Sequence, residues 1–252
     1  MRAQTEIDDR TTLGELALEH PARIELFERL HLDYCCGGST SLGEACRESG
    51  LEVEAIRGQL EAIDREGPSL GPAPERDWRE AGIEELCAHI VSAHHGYLRR
   101  EMPRISELLA TVVRVHGAGH PDFAILERTF AALRAELEEH IEDEEQTLFP
   151  LASSLERGGA VELDRAIIER HRAEHEDVGR KLAALRALAG EYDLSQALCS
   201  THGSLLEALE RFEADLHRHV HEENNVLIPG VSALIDSLPT PTGPSPQTDD
   251  RA

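Results

Sequence analysis

A duplicated motif constrains this chain more than any other feature of its sequence. His140 with Glu144 and His219 with Glu223 both form a His-x3-Glu pair, and each pair is followed by Leu and Pro at the same offsets. Residues four apart lie on one face of an α-helix, so each copy presents an imidazole and a carboxylate side by side. The repeat therefore predicts two helices that each offer two ligands to a metal.

Each copy also has a histidine at nearly the same distance upstream. His95 precedes His140 by 45 residues, and His175 precedes His219 by 44. The duplicated unit thus contributes four histidines and two glutamates, which is too many for one small ion and suits two. The candidate metal ligands are His95, His140, Glu144, His175, His219 and Glu223.

Hydrophobic periodicity tests whether these residues face a protein interior. Apolar residues recur at alternating steps of four and three over four segments, as in the buried stripe of a bundle helix. Burying an ionised glutamate is costly unless it is paired or binds a metal, so carboxylates on such stripes predict a cation. The predicted stripes are Val91, His95, Leu98, Met102, Ile105 and Leu109; Phe130, Leu133, Leu137, His140, Glu144, Leu148 and Leu151; Ile168, His171, His175, Val178, Leu182 and Leu185; and Leu205, Leu209, Phe212, Leu216, His219, Glu223 and Leu227.

Neighbouring histidines leave alternatives open. A single histidine on an apolar stripe is more often a hydrogen-bonded core residue than a ligand, but six residues in duplicated spacing reverse that preference. His94 and His221 fall off the stripes, which favours a surface position or a role in orienting a ligand. His171 lies on its stripe and is an alternative to His175 as a ligand, or a residue that orients one. The duplicated spacing favours His175.

The composition excludes several classes of protein. Asp and Glu number 49 against 25 Lys and Arg, a formal charge of −24, so there is no basic surface to bind nucleic acid. No stretch approaches 18 apolar residues, and the charged start lacks a signal peptide, so we expect a cytoplasmic protein with no membrane partner. Five cysteines without regular spacing do not form a disulfide framework. Cys87 and Cys199 fall in helical patterns and are expected to be small core residues.

Segments that interrupt the helical pattern predict four regions: a small helical domain at 1–66, a linker at 67–78, a bundle at 79–237 and a disordered tail at 238–252. The linker is rich in Pro and Gly, and the tail lacks apolar residues. The chain is therefore predicted to be all-α. Short loops predict an up-down-up-down four-helix bundle. Its helices are expected at about 80–115, 123–156, 162–189 and 195–235.

Two adjacent cysteines stand out in the N-terminal domain. Helices are expected from Leu13, from Pro21 and from the Ser41 capping signal, and the segment Asp33-Tyr-Cys-Cys-Gly-Gly38 lies between the last two. Cys35 and Cys36 are either a small apolar pair in a turn or reactive or metal-binding thiols. The second interpretation is favoured. Because a Pro-rich linker separates them from every candidate ligand, we expect them to act apart from the metal.

Taken together, these motifs resemble the repair-of-iron-centres proteins, bacterial di-iron proteins that repair iron–sulfur clusters. The resemblance rests on the Cys-Cys-Gly-Gly segment followed by His-x3-Glu-Glu-x-x-Leu-Phe-Pro and His-x3-Glu-Asn-Asn-x-Leu-x-Pro, and it spans residues 10 to about 235. It implies a hemerythrin-like bundle with a non-haem, oxo-bridged centre of two irons. Glu144 and Glu223 would bridge the irons, and the four histidines would complete the ligand set.

The resemblance also implies a function. The main hypothesis is that the protein repairs iron–sulfur clusters damaged by oxidative or nitrosative stress, either by donating iron or by removing nitric oxide. Its partners would be the damaged iron–sulfur proteins. One alternative is a hemerythrin-like protein that binds or senses oxygen or nitric oxide; another is a nitric oxide reductase. Under the main hypothesis we expect a repair protein that donates iron, more than a classical enzyme. A homodimer is compatible with all three, and the candidate thiols are Cys35 and Cys36.

Overall fold

The computed structural model describes residues 7–66, 77–159 and 165–237. These residues form helices and turns with no β-strand, only one isolated bridge between Thr12 and Ser41. The predicted all-α fold is confirmed. Within the same residues, no helix has both the length and the apolar character needed to cross a membrane. The predicted tail lies outside the described residues, as does the predicted linker except for Asp77 and Trp78. The predicted domain boundaries stay predictions.

Three of the four long helices contain one turn of π-helix. The first comprises α5 (Ile83–Ile90), a π-turn (Val91–His95) and α6 (Gly96–His116). The second comprises α7 (Asp122–Asp143), a π-turn (Glu144–Leu148) and α8 (Phe149–Glu156). The third is α9 (Arg165–Leu188), and the fourth comprises α10 (Ser200–Glu222), a π-turn (Glu223–Leu227) and α11 (Ile228–Ser237).

The long helices pack in a ring. α6 contacts α7, α7 contacts α9, α9 contacts α10, and α10 returns to α6. Each helix therefore has its sequence neighbour beside it, which is the predicted up-down-up-down arrangement. The helices also begin and end within a few residues of the expected positions. The fourth begins five residues late, because a short 3₁₀ turn at Leu194–Gln196 precedes it.

Apolar side chains fill the bundle in two layers. One layer extends from Leu98 on α6 to Leu216 on α10, and the other includes Ile90, Phe149 and Leu227. Cys87 belongs to the second layer, as expected. Cys199 does not lie in the core: it is the half-buried N-cap of α10, where its sulfur accepts a hydrogen bond from the His202 amide at 3.5 Å.

The small N-terminal domain contains α1 (Leu13–Glu19), α2 (Ile24–Leu30), α3 (Leu42–Glu48) and α4 (Val53–Glu66). Pro21 begins a 3₁₀ turn before α2, and the Ser41 hydroxyl accepts from the Glu44 amide at the start of α3. The sequence predicted only three helices here, so α4 was missed. The helices enclose a separate apolar core that includes Leu16, Phe27 and Leu60.

Candidate metal centre

All six candidate ligands lie between the two apolar layers of the bundle. His95 ends the first π-turn, Glu144 and Glu223 begin the other two, and His175 lies in the middle of α9. Both glutamates are buried, with 0% exposure for the side chain of Glu144 and 1% for that of Glu223. The structure thus brings together every residue that the repeat selected. That these residues bind metal stays a prediction.

One half of the centre is formed by His95 and His219. Their Nε2 atoms lie 3.3 Å apart. Glu144 Oε2 lies 3.3 Å from His95 Nε2, and Glu223 Oε1 lies 3.0 Å from His219 Nε2. These two nitrogens and two oxygens converge on one point.

The other half is formed by His140 and His175. Their Nε2 atoms are 3.1 Å apart. Glu144 Oε1 lies 3.1 Å from His140 Nε2, and Glu223 Oε2 lies 3.1 Å from His175 Nε2. Each glutamate therefore directs one oxygen to each histidine pair, as a carboxylate that bridges two cations does.

Hydrogen bonds outside the centre fix three of the imidazole rings. His95 Nδ1 donates to Glu145 Oε1 at 2.7 Å, and His140 Nδ1 donates to Glu174 Oε2 at 2.9 Å. A carboxylate only accepts, so the ring hydrogen of each neutral imidazole is on Nδ1 and the Nε2 lone pair faces the centre. Glu145 also accepts from Arg99 at 2.8 Å.

His175 is held by an amide instead of a carboxylate. Asn224 Oδ1 lies 3.0 Å from His175 Nδ1, and Asn224 Nδ2 donates to the Cys35 carbonyl at 3.4 Å. Because the amide nitrogen faces a carbonyl, its oxygen faces His175 and accepts from Nδ1. His219 Nδ1 has no hydrogen-bond partner among the described residues, and the His94 ring stacks on that of His219 at 5.4 Å.

The charges of the metal-free centre are strongly coupled. Burial lowers the pKa of His140, but the charge and hydrogen bonding of Glu144 outweigh it and raise this pKa to about 11. Burial and the charge of Glu223 raise the pKa of Glu144, yet His140 and His95 lower it to about 2. Without a metal, protons on the histidines balance the buried carboxylates.

The donor set fits two metal ions. When the histidine rings are neutral and carry their hydrogen on Nδ1, both oxygens of Glu144 and Oε2 of Glu223 are buried without a hydrogen-bond donor within the described residues. Nitrogen and oxygen atoms spaced by 3.0 to 3.3 Å match ligands that share an ion with bonds of about 2.1 Å. Four imidazoles and two carboxylates suit divalent or trivalent iron among other borderline metals.

The π-turns explain why the two copies of the motif share a proline. In the second and fourth helices, the amide after the π-turn donates five residues back, from Phe149 to the Glu144 carbonyl and from Ile228 to the Glu223 carbonyl. The next residue is Pro150 or Pro229, which has no amide hydrogen to continue the α-helical pattern. The wider turn therefore begins at the candidate ligand glutamate of each copy.

The neighbouring histidines are buried, which excludes one of the two alternatives for His94 and His221. They were expected at the surface or in a role that orients a ligand; with exposures of 7% and 4% the surface alternative is wrong, and the orienting role stays a prediction. His94 Nδ1 donates to Asp215 at 3.1 Å, while His221 Nδ1 lies 3.2 Å from the Tyr34 carbonyl. His171 is fully buried. Its Nδ1 lies 4.0 Å from Glu144 Oε1, which is farther than the Nε2 atoms of His95 and His140 lie from the Glu144 oxygens.

The cysteine pair lies against the centre in space, although the linker separates it from the candidate ligands in sequence; that it acts apart from the metal stays a prediction. Cys36 Sγ is 3.5 Å from the His175 carbonyl, and Asn225 Nδ2 donates to the Cys35 carbonyl at 3.2 Å. A Cβ added to Gly38 would lie 2.4 Å from Asn225 Oδ1, so the chain approaches this asparagine more closely than a side chain permits. The Pro-rich linker thus separates the domains in sequence but not in space.

Three orienting residues were missed from the sequence. Glu145 and Asn224 each directly follow a candidate ligand glutamate, and Glu174 directly precedes His175. The shared position directly after the glutamate could have predicted two of these residues. The residue type differs between the copies, however, because Glu145 is a carboxylate and Asn224 is an amide. A further opening was also unforeseen: an acidic cleft of about 690 Å³ lies beside His140 and is lined in part by Glu136, Glu139, Asp143 and Glu174.

Comparison with known proteins agrees with this geometry. Residues 86–231 match the hemerythrin HHE cation binding domain, and residues 9–64 match a domain of unknown function, DUF542. The chain is 31% identical over 218 residues to the iron-sulfur cluster repair protein YtfE of Pectobacterium atrosepticum, covering 86% of this chain and 95% of the relative. The YtfE protein of Yersinia pseudotuberculosis is 32% identical over the same shares. The resemblance seen in the motifs is confirmed, and the chain belongs to the family of iron-sulfur cluster repair proteins that carry a hemerythrin HHE cation-binding domain.

Proposed function

We propose that this chain repairs damaged iron–sulfur clusters with an oxo-bridged pair of non-haem irons. The observation that carries the proposal is the split of each carboxylate: Glu144 and Glu223 each place one oxygen by one histidine pair and the other oxygen by the second pair. His95 and His219 would hold one iron, and His140 and His175 the other. When bound, the irons supply Lewis acidity and one-electron redox chemistry to a small ligand.

The surrounding side chains orient the centre and control access to it. Glu145, Glu174 and Asn224 hold three imidazoles with Nε2 facing inward. Phe149 stacks on the His95 ring at 5.7 Å and, with the apolar layer around it, excludes water from that side. The chain itself thus provides a rigid and largely dry site.

Iron donation is supported by the acidic cleft beside His140. Its carboxylates, Glu136, Glu139, Glu142 and Asp143 among them, would attract a departing iron ion and weaken its return to the centre. Glu174 lies in the same cleft and holds His140, so a change in its protonation or binding loosens one ligand. In this proposal iron is cargo and the damaged iron–sulfur protein is the acceptor.

The cysteine pair provides a second feature suited to repair. Asp33, Cys35 and Cys36 place one oxygen and two sulfur atoms within 4.8 Å of one another. Cys35 and Cys36 both line a cleft of about 460 Å³ between the domains. Thiolates are soft ligands that take iron transiently, so the pair is our candidate for contact with the client cluster. The described cysteines are all unpaired, which suits the reducing cytoplasm where we place this activity.

Binding or reduction of nitric oxide is a second candidate. The apolar layer that includes Phe149 and Leu148 lines the centre, and such surroundings admit a small neutral diatomic molecule more readily than an ion. Oxygen binding would use the same surroundings.

A reconstitution experiment tests the proposal. Iron-loaded protein carrying isotopically labelled iron is mixed with an iron–sulfur enzyme inactivated by nitric oxide, and enzyme activity, labelled iron and nitric oxide are followed together. Recovery with transfer of label supports donation, and recovery with consumption of nitric oxide but without transfer supports removal. Nitric oxide binding without any recovery supports the second candidate. The Glu223→Leu variant, which lacks one bridging carboxylate, serves as the control.

A further inference from the structure

A second cluster of metal-binding side chains lies beside the centre and plays no part in it. It contains His89 on α5, His94 in the first π-turn and Glu222 at the end of α10. Glu222 Oε2 is 3.3 Å from His89 Nε2 and 3.7 Å from His94 Nε2. These three atoms lie within 4.8 Å of one another, a spacing that a small contraction brings onto one ion.

The first π-turn creates this cluster. In a regular α-helix, residues five apart point about 140° away from each other. The extra residue of the π-turn makes a step of five equivalent to one full turn, so His89 and His94 face the same side. The same turn places Ile90 and His95 on the adjacent buried stripe. One irregularity therefore builds both the iron-binding face and a second His-His face.

The polar atoms of the cluster are prepared as ligands. His94 Nδ1 donates to Asp215 Oδ1 at 3.1 Å, which leaves the Nε2 lone pair of the neutral ring directed at Glu222. Glu222 Oε2 is buried and accepts no hydrogen bond within the part of the chain described. The His89 ring is held by stacking on Trp78, with 4.0 Å between the ring centroids.

The cluster is also accessible. The side chain of His89 is 27% exposed and that of Glu222 is 13% exposed, whereas the bridging glutamates of the centre are at most 1% exposed. A cation can therefore reach the cluster from solvent without opening the bundle. His94 stacks on His219, so a cation held here would lie one imidazole away from the iron pair.

We propose that His89, His94 and Glu222 form a third cation site, selective for a borderline divalent metal of the Fe²⁺ or Zn²⁺ class. Two imidazoles and one carboxylate are a ligand set of that class, and they leave further positions for water. Asp215 orients His94 and, with its other oxygen unpartnered among the described residues, is placed to hold a bound water. The site stands apart from the six residues of the proposed iron centre and does not depend on their function.

Zinc binding tests this site. Iron-loaded full-length protein is dialysed against buffered Zn²⁺ across a range of free concentrations, and zinc and iron are both counted. We expect one zinc per chain beyond the iron, with an affinity about ten-fold or more lower in Glu222→Gln and in His89→Ala. The Glu210→Gln variant, which alters an exposed glutamate of the same helix, is the matched control and should bind zinc like the wild type.

Three outcomes would overturn the proposal: no zinc retained, zinc retained equally in all variants, or sulfur ligands in the zinc X-ray absorption spectrum, which would move the site to Cys35 and Cys36. Helical circular dichroism and unchanged iron content establish that each variant is folded. If the six-residue centre holds no iron, zinc can enter it as well, and the third site is then the zinc that is lost in Glu222→Gln and His89→Ala but retained in Glu210→Gln.

Discussion

Asn224 Oδ1 accepts a hydrogen bond from His175 Nδ1 at 3.0 Å, immediately outside the histidine face that points to the metal centre. Glu145 holds His95 from the matching position in the first copy, one residue after the bridging glutamate. The duplicated unit therefore repeats the residue that orients a histidine as well as its candidate ligands. The two copies differ in charge, because this residue is a carboxylate in the first and an amide in the second. A carboxylate makes its imidazole partner a stronger base than an amide does.

Loss of the Asn224 contact should weaken one iron more than the other. In Asn224→Ala, His175 loses the acceptor that fixes its ring, so we expect iron affinity at the His140 and His175 end to fall about 10- to 100-fold. Stepwise removal by a chelator, with iron counted at each stage, measures this. Gln146→Ala changes an exposed residue of the second π-turn and is the control. Two irons that leave together at the wild-type rate would contradict the prediction.

The sequence selected the six candidate ligands that meet inside the bundle because periodicity and repetition are local signals. His140 with Glu144 and His219 with Glu223 are each separated by four residues, and each pair ends where a π-turn begins, so α-helical spacing still applies. At the first two π-turns the stripe assignment was wrong at one residue each. Val91 and Leu151 were placed inside, but both are only half-buried, whereas Ile90 and Ala152 have 0% exposure.

The remaining features depend on contacts between distant segments. Asn224 and Cys35 are 189 positions apart and touch because the small domain packs on the fourth helix. The Pro-rich sequence between the domains gave no sign of this, since a linker sequence permits both separation and contact. His217 and Glu28 make a similar contact at 2.9 Å. No pattern of apolar residues encodes such pairs.

Removing a bridging carboxylate should abolish the iron pair without unfolding the bundle. In Glu144→Leu, a buried charge and both bridging oxygens disappear, and an apolar side chain of similar size fills the space. We expect loss of both irons and of their absorption, and an unfolding temperature of the metal-free variant within about 4 °C of the metal-free wild type. Glu142→Leu, at an exposed position nearby, should keep its iron. Retention of two irons by Glu144→Leu would refute the bridging role.

Replacement of the off-stripe histidines should affect iron far less than replacement of His95 or His219. His221 faces the N-terminal domain, with its Nδ1 beside the Tyr34 carbonyl. Its loss should therefore affect the packing of the two domains more than the binding of iron. We expect His221→Gln to retain nearly full iron content, and His219→Gln to lose iron. Metal analysis of the two purified proteins makes the comparison, and the reverse result would show that the assigned helix register is wrong.

The stability conferred by iron should increase with pH. In the metal-free chain, the pKa of His140 is about 11, so its contribution to folding is complete below about pH 6.5 and is lost as the pH rises toward 11. The pKa of Glu144 is about 2, so its contribution is present above about pH 4.5 and is lost as the pH falls toward 2. Iron competes with protons for the same nitrogens, so its binding strengthens over the range in which the metal-free fold weakens.

Thermal unfolding with and without iron at about pH 6 and about pH 9 measures this difference. We expect the gap between the two unfolding temperatures to be wider at the higher pH. The Glu144→Leu variant should show no gap at either pH. An equal gap in the wild type at both would contradict the proton competition.

Two changes in the N-terminal domain separate thiol chemistry from domain contact. The Cys35 carbonyl, not its side chain, accepts from Asn224 and Asn225, so serine at both cysteine positions preserves these hydrogen bonds. We therefore expect Cys35→Ser/Cys36→Ser to keep two irons while losing repair of a damaged client, because hydroxyls are poor ligands for iron compared with thiolates. Iron content and client recovery are measured on the same sample.

Deletion of residues 1–66 removes the carbonyl as well as the thiols. Asn224 then loses the partner that holds its amide in place, so its bond to His175 loosens and iron should leave the His140 and His175 end faster than in the double-serine variant. The bundle itself should remain folded, because its apolar layers do not include residues of the small domain. Equal iron retention in both variants would limit the domain to a role in client contact. Full repair by the double-serine variant would instead assign Cys35 and Cys36 to the turn alone.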